Sequence, residues 1–201
     1  MGRHEGGGPV MAQVEENPYH YTGLHAFGFL KPANVRPTEL LAMIRELGEP
    51  PEGPVIWAGT FVGDYAALVH VRVEADDLAG LHELVEGAFW DLGARGVWAI
   101  EMRPASTTKD AVAKFVGVKR GTQEIIAISA LGVRPGSLDE VLEQVQTIST
   151  FRGASVVFGE ADILVQLGGD TFEAVAASVE RELQGVTGIV ASATAFCDGR
   201  R

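Results

Sequence analysis

The chain has 201 residues, 46% of them hydrophobic and 21% charged, with 27 acidic against 16 basic residues and a net charge of −11 at pH 7. That balance denies it the cationic surface on which nucleic-acid affinity rests, so direct nucleic-acid binding by this chain alone is not expected. No apolar run is long enough to span a bilayer, and the polar, glycine-rich start Met1-Gly2-Arg3-His4-Glu5 lacks a signal-peptide pattern, so a cytoplasmic protein without a membrane partner is expected.

Residues 1–22 hold Gly, Pro, Glu and Asn without an apolar period and are read as a flexible arm. A first unit is expected over residues 23–103. It opens on the strand-like run Leu24-His25-Ala26-Phe27-Gly28-Phe29-Leu30, closed by Lys31-Pro32. Pro37, placed where a missing N–H costs nothing, starts a helix with Leu40, Leu41, Ile44 and Leu47 at helical spacing, and Gly48 ends it. Next, Trp57-Ala58-Gly59-Thr60-Phe61-Val62 leads through Gly63-Asp64 into Tyr65-Ala66-Ala67-Leu68-Val69-His70-Val71-Arg72-Val73. Gly at the first place of a two-residue connection supplies the positive φ that a tight hairpin needs. A second helix from Asp77 to Leu92 aligns Leu78, Leu81, Leu84, Val85, Phe89 and Leu92, and Val97-Trp98-Ala99-Ile100-Glu101-Met102 closes the unit. The order is β-α-β-β-α-β, the ferredoxin-like arrangement.

Residues 104–122 read as a locally basic, solvated linker, with Lys109, Lys114, Lys119 and Arg120 following Arg103. The same order then repeats over residues 123–198. Glu124-Ile125-Ile126-Ala127-Ile128-Ser129-Ala130-Leu131 is its first strand, and Ser137 with Glu140 spells a capping box ahead of Val141, Leu142, Val145 and Ile148. The hairpin Ser155-Val156-Val157-Phe158-Gly159-Glu160-Ala161-Asp162-Ile163-Leu164-Val165-Gln166-Leu167 copies the first, with Gly159-Glu160 at its turn. Asp170 is the expected N-cap of a helix carrying Phe172, Val175, Val179 and Leu183, and Ile189 to Phe196 is the last strand. Cys197, the only cysteine, excludes an intrachain disulfide and reads as a small hydrophobe in a terminal strand.

Each unit is an α+β sheet with helices on one side, and the bare side needs cover. Alternation puts Ala161, Ile163, Val165 and Leu167 towards the helices and Asp162, Leu164 and Gln166 on the other face. In the first unit the matching sets are Tyr65, Ala67, Val69, Val71 and Val73 against Ala66, Leu68, His70 and Arg72. Stacking the two bare faces, within one chain or between chains, makes a barrel-like arrangement of tandem ferredoxin-like units.

The run Gly159-Glu160-Ala161-Asp162-Ile163-Leu164-Val165, then Asp170, a helix and Val186-Thr187-Gly188-Ile189-Val190-Ala191-Ser192-Ala193-Thr194-Ala195 resembles the effector-binding (RAM-type) domain of the Lrp/AsnC transcription regulators. The second unit reads Thr187-Gly188-Ile189 where that family favours Pro-Gly-Val. The first keeps Gly63-Asp64 and Gly96-Val97 but has Ala66 in place of the Asp. The resemblance implies a dimeric α/β barrel, a homo-oligomer, and a small effector, often an amino acid, bound near the Gly-x-x-Asp loop. On it Gly159, Glu160 and Asp162, with Gly63 and Asp64, are the candidate ligand-binding residues. The family's helix-turn-helix has no counterpart in residues 1–22, so a sensing module without its own DNA-binding domain is expected.

No metalloprotease, nucleophile-elbow, phosphate-loop or dinucleotide motif is spelled anywhere, so the motif-based enzyme classes have no support, which does not exclude an enzyme. The duplicated unit with its Gly-x-x-Asp hairpin makes a non-catalytic, cofactor-free and metal-free module the leading reading. The alternative is a monooxygenase or haem-associated enzyme of the dimeric α/β-barrel kind. His70 and Arg72, on the open sheet face, are then the catalytic candidates, with Trp57 and Trp98 as cavity walls. A third reading is a purely structural assembly module. Against the enzyme alternative, His70 is better read as a satisfied, partly buried histidine and the Trp residues as core, His82 as a helix-surface residue, and His4, His20 and His25 are spaced too irregularly for a metal.

Overall fold

The computed structural model describes residues 24–32, 34–48, 53–62, 65–73, 78–104 and 124–198. The arm, the linker cations Lys109, Lys114, Lys119 and Arg120, and the turn Gly63-Asp64 lie outside the described residues, as do His4, His20 and Asp77.

The first half of the chain runs β1 (Leu24–Pro32), α1 (Pro37–Arg45), β2 (Val55–Thr60) and β3 (Ala67–Val73). Then α2 (Leu78–Leu84) passes through a π-helical turn (Val85–Phe89) into α3 (Trp90–Ala94), and β4 (Val97–Pro104) follows. The second half runs β5 (Ile125–Val133), α4 (Leu138–Val145), β6 (Phe151–Val156) and β7 (Ile163–Gly169). There α5 (Phe172–Ala177) gives way to a π turn (Ser178–Glu182) and a 3₁₀ turn (Leu183–Gly185) before β8 (Ile189–Asp198). Both sheets are antiparallel and four-stranded, ordered β2-β3-β1-β4 and β6-β7-β5-β8. The chain is α+β, two βαββαβ units forming a dimeric α/β-barrel-like arrangement. No described helix is long and apolar enough to cross a membrane.

Alternation along the strands decides the layering. Ala67, Val69 and Val71 of β3 pack with Leu40, Ile44, Leu81, Phe89 and Leu92 from the helices of their half. Ile163, Val165 and Leu167 of β7 do the same with Val141, Val145, Val175 and Leu183. The opposite faces meet each other: Phe27, Trp57, Phe61 and Leu68 of the first unit share one core with Ile126, Ile128, Leu164 and Cys197 of the second. The two sheets therefore cover each other within one chain, and each large apolar side chain fully withdrawn from water there contributes about 1.5–3 kcal/mol. A hydrogen bond from Val62 N to Phe196 O (3.1 Å) ties the first hairpin to the edge of β8. At Gly59 a β-carbon would lie 2.8 Å from the Trp57 ring and 3.2 Å from Cys197 Sγ, so glycine lets the β2 backbone approach.

Several local expectations are corrected. The hairpins do not turn in two residues. Val157 N donates to Asp162 O (3.0 Å) around a connection of Phe158-Gly159-Glu160-Ala161, and Phe61 N donates to Ala66 O (2.8 Å) around the matching span. Gly159 does adopt a positive φ of 143°. Tyr65 and Ala161 precede their strands, so the alternation does not reach them: both line the space between the sheets rather than the helix side. Ser137 makes no capping bond, and α5 is capped by Thr171, whose Oγ1 accepts from Ala174 N (3.2 Å), not by Asp170. Leu78 and Phe172 stay exposed at 65% and 52%; Phe172 packs instead against Phe196 at 4.9 Å between ring centroids.

Candidate functional site

Between the sheets, beside the shared core, opens a cleft of about 530 Å³. From the first unit Phe29, Lys31, Phe61, Tyr65 and Leu68 line it, and from the second Ile128, Ala130, Gly132, Glu160 and Ala161, with the β8 edge from Ala191 to Ala195. Its volume is that of a small-molecule site, mainly apolar with a few polar groups.

The cleft exists because equivalent positions in the two units carry side chains of unequal size. Ala66 N donates to Leu30 O (3.0 Å) and Asp162 N to Leu131 O (2.8 Å), and each first strand bulges one step later, at Lys31/Pro32 and Gly132/Val133. This register matches Phe29 to Ala130, Lys31 to Gly132, Tyr65 to Ala161 and Ala66 to Asp162. The first unit supplies two aromatic rings and a cation where the second supplies alanine and glycine, and the missing side chains leave the space. Tyr65 stands edge-on to Phe29, with centroids 5.3 Å apart and planes at 62°, and the Lys31 ammonium lies 4.6 Å above the Tyr65 ring.

The residues expected from sequence to bind a ligand divide. Glu160 lines the cleft, exposed on its loop, whereas Gly159 and Asp162 are not among the lining residues. Asp162 Oδ2 accepts a hydrogen bond from Val133 N at 2.7 Å, pinning the hairpin to the end of β5. In the first unit both ends of that bond are gone together, because Ala66 has no acceptor and Pro32, the counterpart of Val133, has no N–H. Gly63 and Asp64 lie outside the described residues.

The alternative pair sits elsewhere. His70 is buried at 4% exposure, stacked on Phe27 at 4.4 Å, with its Nε2 3.2 Å from His25 Nδ1. Burial, and secondarily the neighbouring His25, lowers its pKa to about 3, so the ring is neutral at physiological pH. Neither His70 nor Arg72 lines the cleft. Trp57 is a core wall, edge-on to Phe61, and Trp98 is described only as β4 backbone. Among the described residues that line the cleft there is no His, Cys or Met, and the tyrosine there, Tyr65, is committed to Phe29 and Lys31, so these described residues do not fit a haem. No group of metal-ligating side chains occurs among the described residues.

Comparison with known proteins adds a level above these side chains. No protein-family model matches the chain, and neither does any curated protein. Among solved structures, an anthrone oxidase-like protein aligns over 89% of this chain and 91% of its own, at 11% identity and a TM-score of 0.56. A putative monooxygenase from Lactobacillus acidophilus NCFM aligns over 87% and 92%, at 9% identity and a TM-score of 0.54. The likeness is one of fold. AsnC of E. coli aligns over 57% of this chain and 70% of its own, at 11% identity and a TM-score of 0.36. The whole-length neighbours thus share the two-sheet arrangement, while AsnC is matched only in part.

Of the described lining residues only Glu160 is a candidate from sequence; among those that sequence reading missed are Phe29, Lys31 and Tyr65. A signal for them was present: once the two units are superposed by register, each is a large residue opposite a small one.

Proposed function

We propose that the chain is a ligand-binding module that holds a small organic molecule in the cleft between its sheets and acts through a homo-oligomer or a partner rather than through catalysis. The observation carrying this is the 530 Å³ cleft, mostly apolar, with Glu160 of the Gly-x-x-Asp loop on its wall. The sequence resemblance to Lrp/AsnC effector domains supports a small carboxylate-bearing metabolite, the class that includes amino acids, as ligand, and the boundaries 23–103 and 123–198 as the two units. A thermal-shift screen over amino acids and carboxylic acids is the test, because a ligand at a hundred times its Kd stabilises by about 2.7 kcal/mol. Ala193→Trp, on the exposed edge of β8, is expected to fill the cleft and abolish the shift while leaving the unliganded Tm near its original value. Absence of any shift, with large assemblies seen by light scattering, would favour the assembly-module reading instead.

A second reading takes the same cleft as an oxidase or monooxygenase site, supported by its whole-length structural neighbours, an anthrone oxidase-like protein and a putative monooxygenase. Its test is dioxygen uptake on addition of anthrone, which Ala193→Trp should suppress. No uptake would leave the binding reading alone.

A further inference from the structure

Lys31 is the one cation among the described residues lining the cleft. It belongs to a chain in which acids outnumber bases by 27 to 16, yet no described carboxylate pairs with it, and its ammonium rests over the ring of Tyr65. The position is built: Tyr65 is held against Phe29, and Lys31 stands at the register shift between Lys31 and Pro32 at the end of the strand. The facing unit offers Gly132 and Ala161 at the corresponding positions, so no side chain there supplies a counter-charge. Glu160, the one acid among the described lining residues, is exposed on its loop and engaged in an interaction of its own.

We propose that the cleft selects organic anions: monocarboxylates with an aromatic or branched apolar body, the carboxylate meeting Lys31 and the body lying along Phe29, Phe61, Leu68 and Ile128. This rests on the cleft being a ligand site. A carboxylate gains a charge-assisted contact in a partly desolvated place. A neutral amide of the same shape loses that contact, and a zwitterion brings a second cation beside Lys31 into an apolar wall.

The test uses one phenylpropyl body in three charge states, namely 3-phenylpropanoate, 3-phenylpropanamide and phenylalanine. Each competes with the neutral dye N-phenyl-1-naphthylamine, whose fluorescence reports entry into an apolar cleft. The acid is expected to displace the dye about tenfold more tightly than the amide or the amino acid. Lys31→Met should bring acid and amide to equal strength, and Lys31→Arg should keep the preference. Equal binding of all three, failure of the acid to displace the dye, or a preference that survives Lys31→Met would overturn the proposal. The cleft reading is judged separately: dye uptake by the wild type that Ala193→Trp excludes upholds it, whatever the acid does. If the dye does not enter the wild type, the cleft reading falls and the proposal with it.

Discussion

Asp162 and Ala66 occupy the same place in two hairpins, and only one of them has work to do. Asp162 satisfies the N–H of Val133 at the bulge of β5, a bond from a carboxylate to a backbone donor that is worth about 1.5–3 kcal/mol when removed from a protected site and less at this exposed one. Asp162→Ala should therefore lower the urea midpoint by an amount equal to about 1 kcal/mol. Ala66→Asp should gain nothing, because Pro32 cannot donate. A stabilising Ala66→Asp would show that the carboxylate acts through some other partner. The missing aspartate is readable in the sequence as a departure from a repeat. Its cause is not, because the donor it serves is 29 residues away in the chain and becomes its neighbour only through the register of β5 and β7.

At the scale of elements, strand order and helix placement were legible because apolar residues recur at the right period in both halves. Termini were less so. Asp170 and Thr171 are both N-cap residue types, and only the geometry of the chain leaving β7 assigns the role to Thr171. Thr171→Ala should cost about 1 kcal/mol in thermal or urea unfolding, and Asp170→Ala only a few tenths; the reverse order would restore Asp170 as the cap. The π turns escaped a 3.6-residue template altogether. Each interrupts the second helix of its unit, at Val85–Phe89 and Ser178–Glu182. In the second, Glu182 accepts from Ser149 N (2.9 Å), Ser149 Oγ (2.8 Å) and Ser178 Oγ (2.8 Å), fastening the turn to the loop before β6. The Ser149 backbone bond, then the two hydroxyls, hold its carboxyl below the usual range, so this fastening is lost as the medium becomes strongly acidic.

The whole molecule depends on the contact between its sheets, and that contact contains a titratable group. His70 lies beside Phe27 in this layer, with His25 at its ring nitrogen and Arg72 opposite His25 in the register. Its folded pKa of about 3 lies below the ordinary value of 6.5, so the unfolded chain takes up a proton first as pH falls. Stability from this site is complete above pH 6.5 and is lost as pH drops from there towards 3, with a slope of at most about 1.4 kcal/mol per pH unit. His70→Phe should flatten that part of a stability-versus-pH curve measured by urea unfolding, and an unchanged slope would place the acid sensitivity elsewhere. The face assignment of His70 was readable from simple alternation along β3. The cleft was not, because it arises from pairs of positions that meet only when both units are folded, and its emptiness comes from residues as plain as Ala130 and Gly132.

The unequal walls have a consequence for how such a site can change over time. In a barrel closed by two identical copies, any side chain introduced on one wall appears at once on the other, so a lysine at the place of Lys31 would always be doubled. Here one covalent chain specifies both walls, and Gly132 stands where that second lysine would be. A mutation can therefore alter one side of the recognition surface while its counterpart keeps the old residue, letting a single positive charge be tuned against an unchanging background.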